Sequence, residues 1–340
     1  MFAALLLAAA LPQQPQLQEQ ITVERVIVDA RVTSSGGDPI TGLKAADFIV
    51  KIDGKRAGVE SADWSWDSAA IREIADVATG VQSPSPPSRG RLLIFVFQTD
   101  YERNNARLRG QMRLLQLGHE WLDWIEPEDR VAVFSFDSHL KFRLDFTSDR
   151  GEIAAAMNEA LYIDDPPWPR RAASPSLGAR LIPRDLPRAG SLEKGLIAIG
   201  NALIDVPGPK SLILFGWGIG RYTRDGTPMS ARVRMPLNYG IVRNALASGR
   251  VSVFSIDFTA ADAHSLASGM ERVADDTGGF YASTYKFPRL AAQRLQRTLA
   301  GHYELEVRKP PSLRRGAHVI EVEVARRDAH VLARTTYNDR

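Results

Sequence analysis

The stretch Arg91–Asp100 reads RLLIFVFQTD and indicates the fold class more clearly than any other part of the chain. Its run Leu92–Phe97 contains no polar residue, as expected of a strand that is covered on both faces. The runs KSLILFGWG at 210–218 and VSVFSID at 251–257 repeat this pattern, and segments with apolar residues at helical spacing lie between them. This alternation predicts an α/β, Rossmann-like fold with a mostly parallel sheet and helices on both faces.

Both ends of the chain have a β pattern instead. Apolar and polar residues alternate over 26–32, and the strand pattern at 48–52 runs into Asp53-Gly54, a two-residue hairpin signal. Near the C-terminus, 303–307 and 320–324 alternate in the same way. Because a few short strands make a poor sheet alone, we expect the two ends to pair as a small β-sandwich that holds the α/β domain.

Composition changes predict the domain boundaries. The stretch SPSPPS at 83–88 is the clearest linker in the chain. The predicted parts are a signal peptide with a polar linker at 1–20, a β-rich segment at 21–82, the α/β domain at 91–300 and the C-terminal strands at 301–340.

The first ten residues, MFAALLLAAA, predict the compartment. They are too few to span a bilayer, which takes about 20 apolar residues. They have the length of a signal-peptide apolar region and end in small residues suited to cleavage, although no Lys or Arg precedes Arg25. We expect a secreted or periplasmic protein without a transmembrane span; an N-terminal helix is the alternative.

Composition excludes several classes of protein. The chain has 340 residues and no Cys, which rules out a disulfide scaffold, thiolate metal sites and thiol catalysis. Its net charge is +3, and five arginines and one acid lie between Pro166 and Gly190. A protein that binds nucleic acid presents a broad basic face rather than one basic loop, so we expect no nucleic-acid partner.

Taken in order, the strand motifs and their flanking residues resemble a von Willebrand factor A domain. More narrowly, residues 21–337 are similar to the VWFA-related proteins abundant in Acidobacteria. The motifs that carry this second resemblance are DPITGLKAADFIVKIDGK at 38–55, RVADDTGGFY at 272–281 and GHYELEVRKP at 301–310. The resemblance implies an A domain and a role in interaction or adhesion.

The family resemblance also implies where a metal would bind. Metal-binding A domains carry a MIDAS site, with Asp-x-Ser-x-Ser after the first strand, a Thr from a later loop and an Asp after the fourth strand. The corresponding residues here are Gln98, Asp100, Glu102, Ser191 and Trp217. Both family aspartates are absent, and an indole cannot ligate a cation.

We therefore expect a degenerate MIDAS and no cofactor. The alternative is Mg²⁺ held by oxygen atoms of Asp100, Glu102 and Ser191. The structural interpretation of the two acids is a solvated loop before a helix N-terminus. Asp137 and Asp257, also at strand ends, are expected to be turn or cap residues.

The predicted ligand face is the carboxyl edge of the sheet, where open α/β folds bind their ligands. The segment 166–190 enters just before Ser191, so we expect it to overhang that edge, with an ordinary disordered insertion as the alternative. Trp and Arg are enriched at binding hot spots. The predicted face combines strand-end and loop residues: Gln98, Asp100, Glu102, Ser191, Trp217, Trp168, Arg170 and Arg171.

No catalytic motif is found in the sequence. It has no G-x-S-x-G or P-loop, and its six His lack metal-ligand spacing. We therefore expect no enzyme. The predicted function is an exported interaction or adhesion module that binds a protein or a surface glycan through the strand-end face. The alternatives are a structural or assembly subunit of a cell-envelope complex and, less favoured, a hydrolase.

Overall fold

The computed structural model describes residues 25–79, 90–99, 108–110, 112, 114, 118–224, 231–261, 264, 266–284, 286–310 and 315–339. Three predictions fall outside these residues: the signal peptide at 1–20, the linker at 83–88, and the roles of Asp100 and Glu102. Within the described ranges, no helix has the length and apolar character needed to cross a bilayer.

The described strands and helices follow one another along the chain with short connections in most places. The strands are β1 (Arg25–Ser34), β2 (Phe48–Ile52), β3 (Lys55–Trp66), β4 (Leu92–Gln98), β5 (Arg130–Phe136), β6 (Leu140–Thr147), β7 (Lys210–Gly216), β8 (Arg221–Arg224), β9 (Ala231–Arg234), β10 (Val251–Asp257), β11 (Tyr281–Ser283), β12 (Gly301–Arg308), β13 (Gly316–Val324), β14 (Ala329–Ala333) and β15 (Thr336–Asp339). The helices are α1 (Ala69–Thr79), α2 (Gly118–Leu122), α3 (Arg150–Glu159), α4 (Leu192–Ala202), α5 (Tyr239–Ser248), α6 (Ala267–Thr277) and α7 (Pro288–Thr298), with 3-10 turns at Ala45–Asp47 and Pro183–Asp185.

Six strands form the α/β sheet, in the order β11-β10-β7-β4-β5-β6. All neighbours are parallel except β5 and β6, which are antiparallel. Alternate residues of β4 enter two different core clusters: Leu93, Phe95 and Phe97 pack with α2, α3 and α7, whereas Ile94 and Val96 pack with α4, α5 and α6. The prediction of a mostly parallel sheet with helices on both faces is therefore confirmed.

Seven strands from the two ends of the chain form a second, antiparallel sheet, in the order β14-β1-β12-β3-β2-β13-β15. Its inner residues make a single core cluster that includes Tyr303, Leu305 and Val307 of the interior strand β12. Strands β13 and β14, from near opposite ends of the order, contact each other. The predicted pairing of the two ends is therefore confirmed, and the small β domain that they form is a half-barrel, one antiparallel sheet curved around its own core.

The turn between β2 and β3 agrees with the hairpin prediction. Asp53 and Gly54 have φ values of 49° and 74°. Two consecutive residues with positive φ are the requirement of a type I′ turn, which Asp-Gly satisfies at low cost. The predicted domain boundaries at 82, 91 and 300 stay predictions.

Ion pairs join the half-barrel to the amino end of the α/β sheet. Arg250, just before β10, donates to Asp29 of β1 at 2.5 and 2.9 Å and to Glu304 of β12 at 2.7 Å. Burial raises the pKa of Asp29, but the hydrogen bond and charge of Arg250 outweigh burial and hold that pKa below its ordinary value. The two sheets therefore meet at the amino ends of the parallel strands, opposite the predicted ligand face.

Candidate functional site at the carboxyl edge

Gln98 ends β4 and is 4% exposed. Its Oε1 accepts hydrogen bonds from the backbone N–H groups of Trp217 at 3.1 Å and Gly218 at 3.3 Å, in the loop after β7. A Cβ atom on Gly216 would lie only 2.9 Å from this oxygen, so the close approach requires glycine. The end of β4 thus has a neutral amide that fixes the β7 loop.

The neighbouring side chains also hold the β7 loop. Ser191 is the N-cap of α4, and its Oγ accepts from the N–H of Lys194 at 3.4 Å. Glu193 is buried, and its Oε1 accepts from the N–H of Gly220 at 3.3 Å. The side chain of Trp217 packs against the core cluster that contains Phe215. Sequence reasoning missed Glu193, because its partner Gly220 lies 27 residues further along the chain.

A buried carboxylate organises the end of β10. Asp257 is 1% exposed. Its Oδ2 lies 2.6 Å from Nε2 of His264 and accepts from the hydroxyl of Tyr281 at 2.7 Å, and its Oδ1 accepts from the N–H of Thr259 at 2.8 Å. Burial and the charge of Asp257 raise the pKa of Tyr281. The contact with Thr259 is the expected turn; the roles of His264 and Tyr281 could not be read from their spacing.

Asp137 at the end of β5 is also fully engaged. It forms an ion pair with Lys141 at 2.6 Å and accepts from the N–H and hydroxyl of Ser138. Burial raises the pKa of Asp137, but the hydrogen bond and charge of Lys141 together with the two hydrogen bonds from Ser138 outweigh burial and leave that pKa below its ordinary value. Lys141 also donates to the backbone carbonyl of Asp164 at 2.6 Å.

The segment 166–190 is packed rather than a disordered insertion. Asp145 of β6, which is 2% exposed, accepts from the hydroxyl of Ser176 at 2.5 Å and from three N–H groups of the segment at 2.8 to 3.2 Å. Leu177, Leu181 and Leu186 enter the core cluster of one sheet face. The middle of the segment reaches the opposite end of the sheet, because the carbonyl of Ser174 accepts from Arg130, the first residue of β5.

The prediction that this segment overhangs the carboxyl edge is therefore wrong for its middle part. Trp168 is 40% exposed and lies edge-on to Phe142 of β6, with ring centroids 5.3 Å apart. Arg170 and Arg171 are exposed. All three lie in the part of the segment that runs beside the edge strand β6, because Asp145 captures the chain at the following residues. The sequence alone could not reveal the path of the segment, because that path depends on long-range hydrogen bonds to the carboxylate of Asp145.

The described residues of the MIDAS positions do not supply a set of cation ligands. Mg²⁺ requires about six oxygen atoms in near-octahedral order. The single side-chain oxygen of Gln98 already accepts from two N–H groups, the Ser191 hydroxyl caps a helix, and Trp217 offers no oxygen. Among the residues that the structure describes, no group of three or more His, Asp or Glu side chains is arranged to hold a metal ion.

No family model matches the chain, and no curated protein matches it. Solved structures are similar to it, among them von Willebrand factor type A from Catenulispora acidiphila, with 8% identity and a TM-score of 0.40 over 94% of this chain and 75% of that one. Proximal thread matrix protein 1 from the mussel byssus, solved with a zinc-occupied MIDAS motif, has 12% identity and a TM-score of 0.42 over 65% of this chain and 49% of that one. The human COPII-coat protein Sec24c has 13% identity and a TM-score of 0.39 over 72% of this chain and 43% of that one. The chain thus spans less than half the length of the last two proteins.

Proposed function

We propose that this chain is a metal-independent binding module of the von Willebrand factor A type, related to the VWFA-related proteins of Acidobacteria. It recognises a protein or a surface glycan at the carboxyl edge of its α/β sheet. The observation that carries the proposal is the environment of Gln98, whose side-chain oxygen is bound to the N–H groups of Trp217 and Gly218. In this proposal, the side chain of Gln98 holds the loop after β7, whereas the MIDAS site of a metal-binding A domain would hold a cation.

Recognition then depends on a preorganised surface. Gln98, Glu193 and Asp257 each hold a strand-end loop through hydrogen bonds to its backbone. A binding surface that is ordered before its ligand arrives loses less conformational entropy on association. Shape and hydrogen bonding at this edge replace the metal–carboxylate contact that the family's MIDAS site makes.

The proposal excludes catalysis and includes export. The carboxylate of Asp257 accepts from Tyr281 and Thr259 as well as contacting His264, which suits a structural acceptor better than the orienting member of a catalytic set. Export rests on the apolar run at 1–10. The alternative, an assembly subunit of an envelope complex, is supported by the exposed ring of Trp168 on its packed base beside β6.

Affinity capture from a cell-envelope extract tests the proposal. The wild-type chain should retain the same partner in Mg²⁺ and in EDTA. Trp217→Ala, at the carboxyl edge, should lose that partner, whereas Arg130→Ala, at the opposite end of the sheet, should retain it. Loss of capture in EDTA would overturn metal independence, and equal capture by Trp217→Ala would overturn the assignment of the edge.

Point variants beside β6 separate the alternative. Trp168→Ala together with Arg170→Ala and Arg171→Ala alters that surface without removing the residues that Asp145 binds. Arg184→Ala, also exposed in the same segment, is the matched control. Loss of capture in the triple variant alone would favour the assembly surface over the carboxyl edge.

A further inference from the structure

A cavity of about 640 Å³ lies between the half-barrel and the amino end of the α/β sheet. Its wall on one side is formed by β1, β3 and β12, and on the other by the starts of β4, β5 and β7. The volume falls within the range of small-molecule sites, roughly 300–1,000 Å³. Several lining residues, including Asp63, Glu128 and Arg130, are exposed, so the cavity reaches solvent.

Arg31 of β1 lines this cavity with an incompletely satisfied guanidinium. The side chain is 2% exposed. It donates to the hydroxyls of Ser252 at 3.1 Å and Ser211 at 3.4 Å, and its Nε has no hydrogen-bond partner within the described ranges. A guanidinium has five N–H donors, and hydrogen bonds to described residues account for two of them, while its Cζ lies 5.5 Å from the centroid of the Phe254 ring. Buried charges in proteins are normally paired, yet no carboxylate of the described residues forms an ion pair with Arg31.

The carboxylates nearest to Arg31 are engaged with other groups. Asp67 lies 2.7 Å from Nδ1 of His302, and Asp29 and Glu304 are bound by Arg250. The attraction of these acids for Arg31 is therefore shared with other cations. Burial lowers the pKa of Arg31, and the charges of Asp67 and Asp29 offset this only in part.

Two further lining residues carry unpartnered buried donors. Arg91 forms an ion pair with Asp129, but among the residues that the structure describes neither its Nη1 nor the indole Nε1 of Trp64 has a hydrogen-bond partner. Both atoms are enclosed by protein, so the polar group that Arg91 and Trp64 leave for an occupant of the cavity is the neighbouring guanidinium of Arg31. The ring of Trp64 meets that of Trp66 edge to face at 5.2 Å, and both residues line the cavity. The walls therefore combine aromatic surface with donors.

From these observations we infer that the cavity binds a small organic monocarboxylate, whose carboxylate faces Arg31 and whose ring or hydrocarbon body packs against Trp64 and Trp66. A planar carboxylate can accept two parallel N–H donors of a guanidinium. A phosphate dianion suits the site less, because Asp63, Asp67, Glu128 and Glu304 also line it and repel a doubly charged ligand. This site lies at the opposite end of the sheet from the proposed partner-binding edge and does not depend on it.

Titration of the full chain with benzoate tests the inference. Benzamide, a neutral molecule of the same shape, and inorganic phosphate are the comparison probes. Binding is followed by calorimetry and by the ¹H–¹⁵N resonance of the Trp64 indole, which Trp64→Phe identifies by its loss. Benzoate should saturate and shift this resonance, while benzamide and phosphate should not compete at equal concentration.

Variants of Arg31 assign the anion contact. Arg31→Lys retains the positive charge but removes the planar pair of N–H donors. It should weaken benzoate binding about tenfold or more. Arg130→Ala, which removes an exposed charge at the rim, should change it by less than about threefold. Ser211→Ala with Ser252→Ala frees further donors of Arg31 and should not weaken binding. Should Arg31→Lys fail to fold, Trp64→Phe serves as the second variant, with an expected loss of about fivefold.

Three results would overturn the inference. The first is equal binding of benzamide and benzoate, which would mean that charge plays no part. The second is competition by phosphate at the same concentration, which would indicate a general anion site. The third is unchanged benzoate affinity in folded Arg31→Lys and Trp64→Phe.

Discussion

The two ends of the α/β sheet differ in how far their buried polar groups are satisfied. At the carboxyl edge, the side chains of Gln98 and Asp257 each accept two or more hydrogen bonds from backbone or side-chain groups of the same chain. At the amino end, Arg31 has unused donors beside a cavity of about 640 Å³. Among the described residues, one buried hydroxyl at the carboxyl edge, that of Thr259, has no partner, whereas the junction with the half-barrel has unpartnered nitrogen atoms on Arg31, Arg91 and Trp64.

The difference indicates which changes should destabilise the fold and which should alter binding. Removing one partner from a satisfied buried group leaves the others unpaired, which is costly. Removing a buried charge that has no strong partner also removes its desolvation penalty. Matched substitutions at the two ends should therefore have unequal effects on the free energy of unfolding.

The largest effect is expected for Asp257→Ala. This change leaves the Tyr281 hydroxyl and His264 without their acceptor, so the free energy of unfolding should fall by about 3–5 kcal/mol. Urea denaturation followed by circular dichroism measures it. Asp185→Ala, in an exposed pair with Arg188, should change stability by less than about 1 kcal/mol. A loss below about 1 kcal/mol for Asp257→Ala would contradict the assignment of this carboxylate as a structural acceptor.

Gln98→Leu should have the next largest effect. Leucine has a similar size but offers no acceptor to the N–H groups of Trp217 and Gly218. The free energy of unfolding should therefore fall by about 1–3 kcal/mol. Gln98→Glu is the control, because it retains an acceptor oxygen at the same reach. If Gln98→Leu and Gln98→Glu lower the free energy of unfolding equally, the amide oxygen does not hold the loop.

Metal dependence offers a test on the same side of the sheet. Adding Mg²⁺ or Mn²⁺ to the wild-type chain should leave its melting temperature unchanged, because the Gln98 oxygen and the Ser191 hydroxyl are already engaged. The double variant Gln98→Asp with Trp217→Asp introduces carboxylates at the two positions that the sequence resemblance matches to the MIDAS aspartates, and its melting temperature should show an EDTA-reversible rise with Mg²⁺. An EDTA-reversible rise in the melting temperature of the wild-type chain would show that the edge still holds a cation.

Arg31→Met should have a small effect on stability in spite of its burial. Methionine fills a similar volume, and the loss of the Ser211 and Ser252 hydrogen bonds is offset by the removal of a buried charge. The free energy of unfolding should change by about 1 kcal/mol or less. Denaturation measures this, with Arg91→Met as the contrast, since that change strips Asp129 of its ion-pair partner. If Arg31→Met lowers the free energy of unfolding as much as Arg91→Met does, Arg31 has a partner as strong as the Asp129 partner of Arg91.

The smallest effect is a pH dependence at the junction. Burial lowers the pKa of His302, but the charge and hydrogen bond of Asp67 and the charge of Asp29 outweigh burial and Arg31, so the folded-state pKa lies above 6.5. A raised pKa means that protonated His302 stabilises the fold fully below pH 6.5, and that this contribution is lost as the pH rises through the folded-state value. His302→Gln should remove this slope from the free energy of unfolding measured against pH; an unchanged slope would assign it to other groups.

Local sequence patterns predicted the elements where local physics dominates. Leu92–Phe97 indicated a strand covered on both faces, and alternate residues do enter two core clusters. Asp53-Gly54 indicated a two-residue hairpin, and both residues have positive φ. In each case one short segment contains the apolar pattern or the backbone preference that decides its conformation.

Predictions that depended on distant partners were less successful. The curvature of the half-barrel was not predicted, since strand patterns do not specify how one sheet bends. The path of 166–190 depends on Asp145, which acts through groups about 30 residues further along the chain. Glu193, His264 and Tyr281 join the carboxyl edge through contacts that no spacing rule contains.

The amino-acid sequence by itself therefore determined the alternation of strands and helices, the β character of both ends and the two-residue hairpin turn at Asp53-Gly54. Only the tertiary structure decided that Gln98 binds a loop, that the basic segment lies beside β6, and that Arg31 faces a cavity with donors to spare. The reason is physical. Periodicity and turn preferences act over a few residues, whereas the satisfaction of a buried polar group depends on whichever distant segment supplies its partner.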